Sequence, residues 1–239
     1  MKIRAQSGLT LVELLVVVGV VGVLIALLLP TLAASRAKAR RTQCLNNLRQ
    51  QGIALHGFLT DRHSYPLLWY LRGEDGNSTD HVIHWQQALG AQEGSAAGIW
   101  RCPSAQFPAD HPSLPYGYNA WGSSFFANWI DLGLGGHTIL KKGTYGSLAP
   151  AIGDSEIISP AEMVAIADFF SGGDVLTRPV ADSVDFNGGA KSRHSSKVNV
   201  LFCDGHVRSL PVKRIFWDYS DEGLARWNRD HKPHREQLP

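Results

Sequence analysis

Residues 7–30, SGLTLVELLVVVGVVGVLIALLLP, decide how the rest of the chain is read. From Leu9 to Pro30 the run is apolar apart from Thr10 and a single carboxylate, Glu13. About 20 such residues, rising ~1.5 Å each in a helix, cross a bilayer core. An acidic side chain inside that core costs roughly 2.5–3.5 kcal/mol on insertion scales, so Glu13 requires compensation. Cutting the bond between Gly8 and Leu9 would supply it. The new ammonium at Leu9 and the Glu13 carboxylate, four residues apart, share one helix face. The small residues Ser7 and Gly8 suit a peptidase working at the membrane surface. The leader MKIRAQSG is short and basic and lacks the small-x-small end of a secretory signal.

These residues resemble the class III signal of type IV pilins and type II secretion pseudopilins. The resemblance implies cleavage after Gly8 by a prepilin peptidase, N-methylation of Leu9, docking of subunits guided by Glu13, and a helix kink at Pro30. Leu9 departs from the family, which usually has Phe there. A plain signal anchor is the alternative. Charge alone leaves the topology open, because Lys2 and Arg4 precede the span while Arg36, Lys38, Arg40 and Arg41 follow it. The resemblance implies a cytoplasmic leader and a body outside, with the inner membrane as first residence.

Beyond Pro30, Leu45, Leu48, Gly52, Leu55 and Leu59 recur at helical spacing and form an apolar stripe. Leu9 to about Asp61 therefore reads as one long helix bent near Pro30, or as two helices hinged there. The expected organisation is a leader (1–8), a transmembrane half-stem (9–29), an amphipathic half-stem (30–63) and an extracytoplasmic body (64–239). The chain has 239 residues, leaving enough after the span for one domain with a real core. A net charge of +2 gives no bulk electrostatic reason to expect a nucleic-acid partner. Arg36–Arg41 reads as a solvated or headgroup-contacting turn. With 24 glycines and 12 prolines the body should be rich in turns.

Met163–Ala167 reads as a buried strand. Residues 198–212, VNVLFCDGHVRSLPV, read as a hairpin about Asp204-Gly205. A two-residue turn there sets Phe202 opposite Val207 and Cys203 opposite His206. Val198, Val200, Phe202 and Val207 then share a face packed on the stem or the core. The fold class expected is α+β: a long N-terminal helix on a small antiparallel sheet with long loops.

His194 followed by nine residues and Asp204-Gly205 is similar to the H-X9-DG signature of a group of prepilin-like proteins whose bodies form a domain of unknown function. Asn46-Asn47-Leu48 with Gln51, Cys102-Pro103-Ser104, Tyr116-Gly117-Tyr118-Asn119 and Leu132–Gly136 look like the same group. The resemblance supplies no reaction and no catalytic residues.

The residues themselves offer little for catalysis. There is no H-E-x-x-H, no paired C-x-x-C, no G-x-S-x-G elbow and no phosphate-binding glycine loop. His194 is expected to hydrogen-bond a backbone group near the hairpin. A metal shared by His194, Asp204 and His206 is the sharper alternative. Asp218, Asp221, Glu222 and Asp230 could hold calcium, as major pseudopilins do near their C-termini, although their spacing is not an EF-hand. No other cofactor is expected. Three cysteines allow one disulfide, and sequence does not fix which. Cys102–Cys203 is preferred narrowly over Cys44–Cys102, with three buried thiols a further option. Tyr116, Tyr118, Trp121, Phe125, Phe126 and Trp129 read as core aromatics under a long loop, or as a contact surface for a pilin or carbohydrate. Trp217, Tyr219 and Trp227 read as a closing segment. The functional expectation is a structural pilin or pseudopilin subunit, not an enzyme, whose partners are the prepilin peptidase, other subunits and the assembly platform. A tethered binding or metal-dependent domain that does not polymerise is the competing class.

Overall fold

The computed structural model describes residues 10–71, 82–91, 98–105, 115–123, 132–135, 151–168, 176 and 193–237. Gly8, Leu9, Phe125, Phe126, Trp129 and Gly136 lie outside them, as does the leader. The chain divides into two units, Met1–Ala39 and Arg40–Pro239. The first helix, α1 (Leu11–Arg62), contributes to both.

In the first unit the side chains of α1 are exposed from Leu11 through Leu32, and the glycines at 19 and 22 have nothing within 4 Å of where a Cβ would stand. An apolar helix with no covering layer is what length and composition require of a membrane span, and α1 is the one described helix that meets both. Helical assignment continues through Pro30. Its ring removes one i→i−4 donor, and next to it the Thr31 hydroxyl donates to Leu28 O at 2.8 Å.

In the second unit the buried face of α1 is Cys44, Asn47, Leu48, Gln51, Gly52, Leu55 and Leu59. The stripe expected from sequence holds from Leu48 onward. At its start Cys44 takes the core position and Leu45 is only half-buried.

The body is α+β, as expected. A four-stranded antiparallel sheet runs in the order β3 (Tyr116–Tyr118), β4 (Val164–Asp168), β5 (Lys197–Phe202), β6 (Val207–Pro211). A separate hairpin pairs β1 (Trp69–Leu71) with β2 (Val82–His84) and leads into the short α2 (Trp85–Ala88). Every residue of β4 is buried, which an uninterrupted apolar run needs if the sheet is covered on both faces. One face packs Ala165, Ile166 and Leu201 with Leu48, Leu55 and Leu59 of α1. The other packs Val164, Ala167, Val198, Val200 and Phe202 with Ile215 and Phe216 of α3 (Val212–Phe216) and with Trp227, just after α4 (Asp221–Ala225). A register irregularity between Val164 and Ile166 lets two successive residues, Ala165 and Ile166, face the same way.

The β5–β6 turn corrects the expected register. Leu201, not Phe202, stands opposite Val207, and Gly205 N donates to Phe202 O at 2.9 Å. The loop is three residues, Cys203–Gly205, and Gly205 closes it with φ 89°. A slip of one residue exchanges the faces. Leu201 and Val207 therefore belong with the stem-side core, while Val198, Val200 and Phe202 turn to the opposite cluster. Tyr116 and Tyr118 lie on a strand, not a loop, and are buried with Trp121.

Candidate functional site

At the start of α1, Thr10 and Glu13 form a reciprocal cap. Thr10 N and its hydroxyl each donate to Glu13 Oε2 at 2.8 Å, and Glu13 N donates to Thr10 Oγ1 at 3.3 Å. This is the T-x-x-E capping box, which satisfies donors that a helix start leaves without partners. The signal for it lies in Thr10-Leu11-Val12-Glu13 itself, and it adds a partner for Glu13 besides the Leu9 ammonium expected from charge. Glu13 thus has a local partner one residue inside the expected cleavage point.

Several of the signature pieces hold the layers of the body together. Three successive turns of α1 clasp the segment before Cys102. Gln51 Nε2 donates to Ile99 O at 2.7 Å, Asn47 Nδ2 donates to Arg101 O at 2.8 Å, and Cys44 is disulfide-bonded to Cys102 with Cα atoms 5.2 Å apart. The expected Cys102–Cys203 bond is not formed. Cys44 and Cys102 are brought together because Asn47 and Gln51 hold the backbone before Cys102 against the stem. Cys203 instead sits buried in the hairpin loop, where its N donates to Met163 O at 3.0 Å. Burial pushes its thiol up to about 12, with Tyr65 as hydrogen-bond partner.

Asn119 directly follows β3, its N donating to Ala165 O at 2.9 Å, and its wholly buried side chain ties three elements. Its Nδ2 donates to Val164 O at 2.7 Å and to Trp227 O at 2.9 Å, and its Oδ1 accepts from Gly122 N at 3.1 Å. Leu132–Gly135 runs beside it, with Leu134 N donating to Asn119 O at 2.9 Å. A Cβ on Gly133 would lie 2.5 Å from Ala120 O, so the glycine is required for this approach. Tyr118 stacks on Trp85 at 5.2 Å and donates to Pro66 O at 2.9 Å.

The two ends of H-X9-DG act separately, at opposite ends of β5. At one end Asp204 N donates to Pro160 O at 3.1 Å, and Gly205 meets the ring of His56 on α1, where a Cβ would stand 2.9 Å from Cε1. Asp204 pairs with His206 at 2.5 Å on the surface. At the other end, the buried His194 occupies a left-handed turn (φ 51°) with Ser195 and Ser196 (φ 58° and 61°). Its Nε2 lies 3.5 Å from Cys102 Sγ and 3.3 Å from Asp168 Oδ2. It does not take up the backbone hydrogen bond expected of it, and it does not meet Asp204 and His206. Asp168, the carboxylate that ends β4, was not singled out from sequence. The signal was a charged residue directly continuing the apolar run 163–167.

The four candidate calcium carboxylates have local partners. Asp218 accepts from Ser220 Oγ at 2.6 Å and Ser220 N at 3.1 Å, which holds its carboxyl below the usual range. Asp221 pairs with Arg235, Glu222 with Arg226, and Asp230 with His234.

Residues 3–29 match the prokaryotic N-terminal methylation motif, and residues 33–128 match a protein family of unknown function, DUF1559. The chain is also similar to type II secretion system core protein G of Pseudomonas aeruginosa (35% identity over 66 residues, 28% of this chain and 46% of that protein). The same protein of Aeromonas hydrophila is 33% identical over 66 residues, again 28% and 46%, and that of Escherichia coli 34% over 61 residues, 26% and 42%. These matches span less than half the length of each relative. No solved structure matches the chain.

Proposed function

We propose that the chain is a pilin-like structural subunit of the type II secretion pseudopilus or type IV pilus kind. A prepilin peptidase cuts after Gly8 and Leu9 is methylated. The Leu9–Leu29 half-stem stays in the inner membrane with the body outside the cytoplasm until the assembly platform draws the subunit into a filament. The observation that carries this is an uncovered apolar helix holding one carboxylate, Glu13, inside a segment that matches the N-terminal methylation motif.

The mechanism is assembly. Within one chain Glu13 is capped by Thr10. In a filament the Leu9 ammonium of a neighbour compensates the carboxylate charge that the cap leaves in place. Gly19 and Gly22, unobstructed by their own unit, allow close approach of neighbouring stems. The body contributes shape and contacts, and its signature residues are occupied in holding its own layers. Glu13→Ala should leave cleavage intact and lower incorporation into sheared filaments. Normal incorporation of that variant would count against the pairing. A native protein that never co-purifies with other pilins would favour the tethered, non-polymerising alternative.

A further inference from the structure

The buried cluster where β4 ends and β5 begins contains more polar chemistry than a disulfide uses. Cys44 Sγ, Cys102 Sγ and a His194 ring nitrogen lie within 4.8 Å of one another, all in buried residues. The Asp168 carboxylate reaches the same His194 nitrogen, and these two side chains are 0% and 1% exposed. Asp168 Oδ2 also accepts from Asn199 N at 2.8 Å. Asp168 Oδ1, His194 Nδ1, and Nδ2 and Oδ1 of Asn199 have no hydrogen-bond partner among the described residues. Buried polar atoms are almost always paired, so these orphans mark a polar pocket beside the disulfide, and the atoms that face the sulfurs are His194 Nε2 and Asp168 Oδ2 on that nitrogen.

Distances and donor types select the class of ligand for this pocket. A tetrahedral zinc ion with Zn–S of about 2.3 Å and Zn–N and Zn–O of about 2.0–2.1 Å sets its S···N edge near ~3.5 Å and its N···O edge near ~3.4 Å. The Cys102–His194 and His194–Asp168 separations are 3.5 and 3.3 Å. Two changes complete the shell: the S···S edge, now a covalent bond, opens to about 3.8 Å, and Asp168, which stands outside the group of three within 4.8 Å, moves in toward the sulfurs. Two thiolates, an imidazole and a carboxylate suit zinc and not the oxygen-seeking magnesium or calcium. We propose that Cys44, Cys102, His194 and Asp168 form a zinc site in the reduced chain, for which the disulfide substitutes after oxidation.

The exchange balances. A dithiol reductant gives two electrons and two protons to the Cys44–Cys102 bond and itself becomes a disulfide. Zinc then displaces the two thiol protons and binds both sulfurs, with the His194 ring proton on Nδ1. In either state the segment before Cys102 stays fixed to the stem. The ion does for the reduced chain what the disulfide does for the oxidised one.

The test uses the full chain in detergent, with Cys203→Ser to remove the third thiol. The reduced, metal-free protein is titrated with zinc against a chromogenic chelator and, separately, with cobalt(II). One zinc per reduced chain, a cobalt–thiolate charge-transfer band, and at least tenfold weaker binding in both His194→Ala and Asp168→Asn are expected. The oxidised chain should take up no stoichiometric metal, and this control needs no substitution at the site. Absence of stoichiometric zinc in the reduced chain would overturn the proposal. So would equal uptake by the oxidised chain, which would place the metal elsewhere, or a cobalt band unchanged by His194→Ala.

Discussion

Gly52→Ala and Gly57→Ala make the same chemical change five residues apart on α1 and should move stability in opposite directions. Each replaces a helical glycine, which favours the folded chain by ~1 kcal/mol. At Gly57, exposed and with nothing within 4 Å of the new Cβ, that gain stands alone. At Gly52 the new Cβ would lie 2.8 Å from Leu201 Cδ1. Leu201 is fully buried on β5, so its methyl cannot withdraw into open space. Overpacking of this kind costs typically ~1–3 kcal/mol. Gly52→Ala should therefore fall between neutral and ~2 kcal/mol destabilising, Gly57→Ala should gain ~1, and the difference isolates the clash at ~1–3 kcal/mol. For a body of this size that corresponds to a gap of roughly 2–12 °C in Tm. Near-UV circular dichroism of the oxidised full chain in detergent, followed through urea and thermal unfolding, reports the body and not the apolar half-stem. Adding Leu201→Val should rescue Gly52→Ala selectively. Equal stabilisation by both alanines would refute the packing of Leu201 on the stem, and with it the three-residue hairpin loop.

Asn119→Ala leaves two buried carbonyls and the Gly122 amide short of a partner. At ~1–3 kcal/mol per buried unpaired group, a loss of ~3 kcal/mol or more is expected in urea unfolding. Reducing the Cys44–Cys102 bond in metal-free buffer releases a loop with a sequence separation of 58, and the chain-entropy estimate of about 4 kcal/mol gives the expected drop in unfolding free energy. Cys203 should resist alkylation in the folded protein at neutral to mildly alkaline pH and react only on unfolding, as read by mass spectrometry. Its thiol is raised from 9.0 to about 12, so its contribution to stability is complete below pH 9 and is lost as pH climbs toward 12. Cys203→Ser should flatten that part of the stability–pH curve.

The apolar half-stem, the buried strand β4 and the existence of the β5–β6 hairpin were legible because each rests on local periodicity or turn chemistry. The faces of the hairpin were not. Asp204-Gly205 signals a turn equally for a two- and a three-residue loop, and only packing against His56 and Leu201 distinguishes them. The burial of Asn47 and Gln51 was not legible, because their partners are carbonyls some fifty residues away. The disulfide depended on the same long-range clasp, which no cysteine spacing encodes. The Asp168–His194–Cys102 contact joins three distant segments and could not be assembled from any one of them.

The central claim, that this chain is processed as a pilin-like subunit, meets its most direct test in intact mass and N-terminal sequencing of the protein taken from its native membrane. A chain beginning at N-methylated Leu9, with Glu13 four residues further on, is the result predicted. A chain that begins at Met1, or beyond Ala34, would contradict it.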